Sequence, residues 1–221
     1  GLTDFQEENI YHTDPHLADT DGDGHQDGQE IKYAYSPRHA EKKKMEFFDS
    51  DFDGLNDALE SKFGTDLLNP DSDSDGHQDG LEIKNAYDPL NPEQKKLKKS
   101  IEVIIDRQIL QFYVGKYKVG EFAISTGTAS NPTPLGTFKI DKKNPKAWSR
   151  MGQLWMPWWM SFKNGVYAIH ELPVWPSGQR EGEDHLGRPA SHGCVRLGIG
   201  PAKLLYDWAE IGTTVVIKAK D

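Results

Sequence analysis

Ser191-His192-Gly193-Cys194-Val195-Arg196-Leu197 is the stretch on which the reading of this chain turns. It holds the sole cysteine of 221 residues, so no intramolecular disulfide can form. A lone cysteine is ordinarily a small buried hydrophobe. Here a glycine and a histidine precede it, which is not core chemistry. Acyl transfer by cysteine needs a thiolate of lowered pKa, a base, and donors for the tetrahedral oxyanion. Gly193 lets the backbone turn tightly enough to aim its own and neighbouring N–H groups at a carbonyl oxygen. His192 is two residues from the thiol, and His170 ends the predicted strand Val166-Tyr-Ala-Ile-His170. A histidine at a strand end can carry its ring over a site built from an adjacent loop. The competing readings are an inert core thiol, a structural His170, and a zinc site from His170, His192 and Cys194, which lacks a fourth ligand.

Around that stretch the sequence is apolar and β-branched. Ile101–Ile105, Ile109–Val114, Gly120–Ser125, Thr137–Ile140 and Thr213–Lys218 read as further strands, with Gly115-Lys116 as a hairpin connection. Pro201–Ala209 reads as a helix, with proline in its first turn and Gly212 beyond its end. The expectation is a mainly-β, β-sandwich-like domain over 101–219 with one or two helices, large enough for its own core. The tryptophan-rich stretch Trp148–Trp159 reads as core and cleft wall, and Trp175 as a substrate contact. The loop Pro176–Gly187 is expected to cover the cleft, with His185 an exposed loop histidine.

The first 99 residues are different in kind. They hold 24 Asp and Glu against 11 Lys and Arg, whereas the remainder holds 11 against 15. A charge split this sharp indicates two modules, 1–92 and 101–219, joined by a linker at 93–100. The acids are ordered. Three twelve-residue windows, Asp19–Glu30, Asp49–Glu60 and Asp71–Glu82, each place Asp at positions 1, 3, 5 and 9, Gly at 6 and Glu at 12. Calcium takes six to eight hard oxygen ligands, and this spacing wraps a loop around one ion. The expected ligands are Asp19, Asp21, Asp23, the His25 carbonyl, Asp27 and Glu30. The second loop offers Asp49, Asp51, Asp53, the Leu55 carbonyl, Asp57 and Glu60. The third offers Asp71, Asp73, Asp75, the His77 carbonyl, Asp79 and Glu82. Calcium is expected to be structural here, with no cofactor for catalysis. Gly1, Asp4 and Glu7 match positions 6, 9 and 12 of a further loop, as though the sequence began inside a fourth repeat. Overall acidity argues against a nucleic-acid partner, and no segment approaches the ~20 apolar residues of a membrane span.

Two resemblances sharpen these readings. Gly-Thr-Asp-Leu-Leu-Asn-Pro-Asp at 64–71 and Ala-Tyr-Asp-Pro-Leu-Asn-Pro at 86–92 resemble bacterial thrombospondin type 3 repeats, which implies a calcium-stiffened rod with little regular structure. Ser191–Arg196, preceded by Ala168-Ile-His170 and Pro132-Thr-Pro-Leu-Gly-Thr-Phe138, resembles the YkuD-type L,D-transpeptidase catalytic domain. That resemblance implies Cys194 as nucleophile, His170 as its proton acceptor and donor, and the Glu171 carbonyl as the group orienting His170. It also implies a pocket shaped by His192 and Gly193, with Arg196 facing substrate and Ser191 beside it as a substrate contact. The 21 residues between His170 and His192 exceed the family's spacing, and the excess lies in the cleft-covering loop. Implied in turn are an extracytoplasmic location, peptidoglycan stem peptides as donor and acceptor, and 3→3 cross-links made through a thioester. An L,D-carboxypeptidase and a calcium-dependent wall-binding protein with an inactive catalytic fold are the alternatives.

Overall fold

In a computed structural model, which describes residues 1–220, the chain divides into two compact units, Gly1–Leu97 and Lys98–Asp221. The predicted linker does not stand free. The Asp88 N–H donates to the Lys95 carbonyl, and residues 99 and 100 already belong to the first strand.

The first unit is built from loops and short helices, because glycines, prolines and Asp-rich turns interrupt every apolar run. Asp27–Lys32, Asp57–Phe63 and Asp79–Asn85 are helices of one to two turns, each following one acidic loop. Gly64, at φ +84, ends the second in the left-handed conformation that a Cβ disfavours. The segment inserted between loops one and two contains a single 3-10 turn, Met45–Phe47. One local arrangement recurs. Tyr35 bridges Lys44 and Tyr87 bridges Lys96, and in each case the lysine ammonium lies over the tyrosine ring, at 3.8 and 4.9 Å. The apolar core is small, with Tyr11, Met45 and Leu67 at its centre.

The second unit is one curled nine-stranded sheet, in the order β4-β9-β1-β2-β3-β8-β7-β6-β5. The strands are β1 Lys99–Ile104, β2 Ile109–Val114, β3 Tyr117–Ser125, β4 Gly136–Lys139 and β5 Lys142–Ser149. They continue with β6 Leu154–Lys163, β7 Tyr167–Glu171, β8 Val195–Leu197 and β9 Thr214–Lys218. β3 joins the two halves, pairing with β2 along most of its length and with β8 at Ile124 and Ser125. The halves close over one core that includes Ile101, Val103, Leu110, Ile124, Ile169 and Leu197. Phe138 of β4 meets Phe162 of β6 at 5.4 Å, so strands far apart in the sheet order come together. The helix Pro201–Trp208 packs on the same core. Lys143 donates to the Tyr206 and Ala209 carbonyls and Lys99 to the Trp208 carbonyl, satisfying acceptors that a helix end leaves unpaired.

Six strands and the helix lie where the sequence pattern puts them, within a few residues. β5, β6 and β8 were not anticipated. β6 carries Pro157, which lacks a ladder donor, and Trp158 at φ +52, while most of β5 is solvent-facing and polar. Three residues, the length of β8, are too few for an alternation to be read.

Gly120 on β3 is demanded by packing, since a Cβ there would collide with the Phe112 ring. That ring is already fixed between Phe122 and Trp208, at 5.4 and 5.0 Å between centroids. Gly120→Ala is expected to cost about 1–3 kcal/mol by overpacking. Thermal unfolding of G120A beside G120A/F112L checks this, and the smaller side chain should restore part of the loss.

Candidate functional site

The site begins with a parallel pairing. β7 and β8 run side by side with Ile169 opposite Val195, His170 opposite Arg196 and Glu171 opposite Leu197. Side chains alternate across a strand, and Ile169, Val195 and Leu197 enter the core. His170 and Arg196 therefore share the opposite face, and Cys194, one residue before β8, shares it with them.

His170 is 2% exposed, and its Nδ1 lies 2.6 Å from the Glu171 carbonyl oxygen. A carbonyl only accepts, so Nδ1 carries the proton and Nε2 keeps its lone pair. Burial pushes the imidazole pKa down to about 4; the bond to Glu171 opposes this and the Arg196 charge reinforces it. The ring is thus a neutral base throughout the neutral range.

Cys194 closes a turn held by its neighbours. Ser191 Oγ donates to the Cys194 carbonyl at 2.5 Å and accepts from the Gly193 N–H at 3.0 Å. Thr133 Oγ1 donates to the Gly193 carbonyl and accepts from the Gly127 N–H, both at 2.9 Å. Gly193 has φ +111, and a Cβ there would stand 2.6 Å from the Tyr167 ring. No other residue fits that turn. Two expectations change here. Ser191, expected to touch substrate, lines the cleft but is 1% exposed, with its hydroxyl engaged inside the turn. The thiol, expected to have a lowered pKa, is pushed up from the ordinary thiol value by burial; a bond from the Ala168 backbone and the Arg196 charge only partly offset this. Thr133 lies within the Pro132–Phe138 motif but was not assigned a role from it, and Tyr167 carries no distinctive local sequence signal.

Cys194, His170, His192, Arg196 and Trp175 line one cleft of about 690 Å³. His192 is exposed at its rim. The apolar wall comes from the β5–β6 hairpin, through Trp148, Met151, Met156 and Trp159. Arg196 is 5% exposed and pairs with Glu181 of the long loop at 2.9 Å. Arg180 beside it pairs with Glu171 at 2.5 Å. His185, expected to be an exposed loop histidine, instead places Nδ1 3.4 Å from Arg196 Nη1. Glu181 and Arg180 were not singled out in the sequence, because nothing local distinguishes them from solvated loop charges.

In the acidic unit, carboxylate oxygens of Asp19, Asp21 and Asp23 lie within 4.8 Å of one another, as do those of Asp49, Asp51 and Asp53 and those of Asp71, Asp73 and Asp75. The glutamates at position 12 point inward: Glu30, Glu60 and Glu82 are 5%, 0% and 2% exposed. Burial, reinforced by neighbouring aspartates, raises Glu60 to about 9 and Glu30 and Glu82 to about 7. Position 9 differs from expectation. Asp27, Asp57 and Asp79 each use both oxygens within their own loop, accepting from the backbone and hydroxyl of Thr20, Ser50 and Ser72. Through these bonds they brace the loop. Gln94, outside all three windows, donates to Asp75 and Glu82 at 2.6 and 3.0 Å.

The second unit is similar to known proteins. The Bacillus subtilis (strain 168) protein YciB, named as an L,D-transpeptidase, is 32% identical over 124 residues. The match covers 53% of this chain and 64% of that protein, so the chain spans less than two thirds of its length. An L,D-transpeptidase structure from Mycobacterium smegmatis is 22% identical with a TM-score of 0.49, covering 57% of this chain and 61% of that one. An L,D-transpeptidase solved in complex with imipenem shares the fold, at 15% identity and a TM-score of 0.51, with the same 57% and 61% coverage. Residues 98–217, more than half of the sequence, match the L,D-transpeptidase catalytic domain itself, and the chain belongs to the YkuD family.

Proposed function

We propose that the chain is an extracytoplasmic peptidoglycan L,D-transpeptidase acting through a Cys194 thioester, with calcium holding the acidic loops. The observation that carries the catalytic reading is the fixed tautomer of His170. Its Nδ1–H is held by the Glu171 carbonyl, and its ring lines the same cleft as the Cys194 thiol. A neutral base beside a protonated thiol sets the order of events. As Sγ attacks the carbonyl between the third residue of a donor stem and its terminal residue, Nε2 takes the thiol proton. The new S–C bond makes a tetrahedral oxyanion, for which the Cys194 backbone N–H would be a donor, the Gly193 N–H being held by Ser191 Oγ. Collapse breaks the C–N bond, and Nε2 returns its proton to the departing amine. The side-chain amine of a second stem then attacks the thioester and gives its proton to Nε2; collapse breaks the S–C bond, Nε2 returns the proton to Sγ, and the 3→3 link is left. Water at that step would give a trimmed stem instead. Trp175 would contact the donor, a reading supported by its lining the cleft at 39% exposure.

For the acidic unit, the supporting observation is a set of buried oxygens with no hydrogen-bond partner. They are Asp49 Oδ1 at position 1, Asp21 Oδ2, Asp51 Oδ2 and Asp73 Oδ2 at position 3, and Glu30 Oε2, Glu82 Oε2 and both Glu60 oxygens at position 12. Buried carboxylate oxygens are costly unless paired or coordinated to a cation, and hard oxygens clustered at this spacing suit calcium. Asp19, Asp21, Asp23 and Glu30 would hold one ion with the His25 carbonyl. Asp49, Asp51, Asp53 and Glu60 would hold a second with the Leu55 carbonyl, and Asp71, Asp73, Asp75 and Glu82 a third with the His77 carbonyl. Bound calcium would neutralise carboxylates that otherwise repel, giving loops of the thrombospondin type 3 kind.

Three outcomes are expected. Intact-mass spectrometry after incubation with a carbapenem should show one adduct on the parent and none on Cys194→Ala; an unmodified, folded parent would remove the nucleophile from this reading. Because the thiol is pushed up and His170 is already neutral above about pH 4, alkylation of Cys194 by iodoacetamide should keep accelerating through pH 9. A plateau beginning near pH 5 would indicate a preformed thiolate–imidazolium pair. Calorimetric titration with calcium should lose one binding event in Glu60→Gln while the others persist. At a hundredfold excess over Kd, each retained site should stabilise the unit by about 2.7 kcal/mol.

A further inference from the structure

The turn that ends at Cys194 has four backbone polar groups at residues 193 and 194, and two hydroxyls hold three of them. Ser191 Oγ accepts from the Gly193 N–H and donates to the Cys194 carbonyl. Thr133 Oγ1 donates to the Gly193 carbonyl at 2.9 Å. The fourth group, the Cys194 N–H, is used by neither hydroxyl. It belongs to the same peptide unit as the Gly193 carbonyl, and in a planar trans peptide the N–H points away from the C=O. Whatever fixes the direction of that carbonyl therefore aims the Cys194 N–H.

Gly193 cannot fix that direction alone. It sits at φ +111, and glycine is the residue whose backbone rotates most freely. The ends of the turn are tied elsewhere: the Ala190 and Ser191 N–H groups donate to the Thr126 carbonyl, each at 2.9 Å, and Val195 begins β8. The peptide between them hangs on Thr133. That residue is 3% exposed and lies between Pro132 and Pro134. Proline fixes its own φ and holds the residue before it extended, so the hydroxyl is presented from a stiff stretch of chain. The Gly127 N–H donates to the same oxygen at 2.9 Å. An N–H only donates, so the hydroxyl hydrogen is turned to the Gly193 carbonyl. A Cβ at residue 127 would stand 2.9 Å from Gly193 Cα and 2.7 Å from the Thr133 nitrogen. Three backbone segments thus meet around one hydroxyl.

We infer that Thr133 is a positioning residue for acyl transfer: its hydroxyl holds the Gly193–Cys194 peptide in the orientation that turns the Cys194 N–H toward the oxyanion. This rests on the reading of Cys194 as the acylated nucleophile. As Sγ adds to a carbonyl, the C=O pair moves onto oxygen and the thiol proton passes to His170 Nε2. Thr133 takes part in neither transfer. It acts through the donor that meets the new charge. Displacement of a halide at saturated carbon makes no oxyanion, so the same sulfur reacting that way is indifferent to Thr133.

The test compares an acylating and an alkylating reagent on the same sulfur. Thr133→Val keeps the shape of the side chain and removes its hydroxyl, and Thr133→Ser keeps the hydroxyl. Gly120→Ala, outside the turn, controls for lost stability. Second-order rate constants at one pH are read from the mass-resolved fraction of modified protein against time, with a carbapenem and with iodoacetamide. The carbapenem should acylate Thr133→Val roughly a hundredfold more slowly than the parent, the lower end of what losing one oxyanion donor costs. Iodoacetamide should alkylate every protein within about twofold of the parent, since the thiol itself is unchanged. Thr133→Ser should keep both rates within about threefold. A fall in acylation of less than about tenfold in Thr133→Val would overturn the inference. So would a matching fall with both reagents, because Thr133 would then hold the sulfur or the fold. Should Thr133→Val not fold, Thr133→Ala removes the same hydroxyl and is read in the same way. If neither folds, the hydroxyl belongs to the fold and the assignment is lost. If iodoacetamide modifies the parent but the carbapenem does not, the acyl-transfer reading itself fails and Thr133 has no oxyanion to serve.

Discussion

The parallel register of β7 on β8 is the constraint from which the rest of the second unit follows. It sets His170 opposite Arg196 and brings Cys194 onto the same face, while Ile169, Val195 and Leu197 anchor both strands in the core. Parallel neighbours cannot be joined by a tight turn, so a long crossover must leave β7 and return at Cys194. That crossover carries Trp175, Arg180, Glu181 and His185 over the cleft. The loop above the site is therefore a consequence of the strand pairing that makes the site.

Burial then decides the chemistry. Removing His170 from water favours its neutral form, and the Glu171 carbonyl chooses which nitrogen keeps the proton. The same desolvation disfavours the thiolate of Cys194. Under the proposed function, a neutral pair of this kind would keep the resting sulfur poorly reactive and tie activation to the moment when a carbonyl is within reach. Arg196 lowers both pKa values, so the charge balance at the site depends on what occupies that guanidinium.

The acidic unit uses the opposite strategy. It has little apolar core, and its order comes from carboxylates that accept backbone N–H groups in turns, as Asp19 does from Gly22 and Gly24. Asp53 extends this between loops, accepting the Gly80 N–H at 2.6 Å, where any Cβ on residue 80 would come 2.6 Å from the Asp53 carbonyl oxygen. Buried acids with unpartnered oxygens remain at the loop centres. Among the described residues no helix is long and apolar enough to cross a membrane.

What the sequence by itself determined was whatever is encoded locally. Period-two runs placed most strands, glycine and proline placed the turns, and a twelve-residue spacing of acids marked the three loops. The turn at 191–194 was legible through Gly193, because glycine at a positive φ is a local requirement, whereas the place of the Ser191 hydroxyl inside it was not. Tertiary structure decided what depends on residues distant in the chain. β5 and β6 form although Pro157 interrupts the pattern, because pairing with each other and with β7 outweighs local propensity. Asp27, Asp57 and Asp79 became braces because a hydroxyl seven residues earlier folds back onto them, which ligand spacing alone does not distinguish from coordination. The direction of the Cys194 shift and the pairing of Glu181 with Arg196 follow from burial, a property of the packed chain that no single stretch of sequence carries.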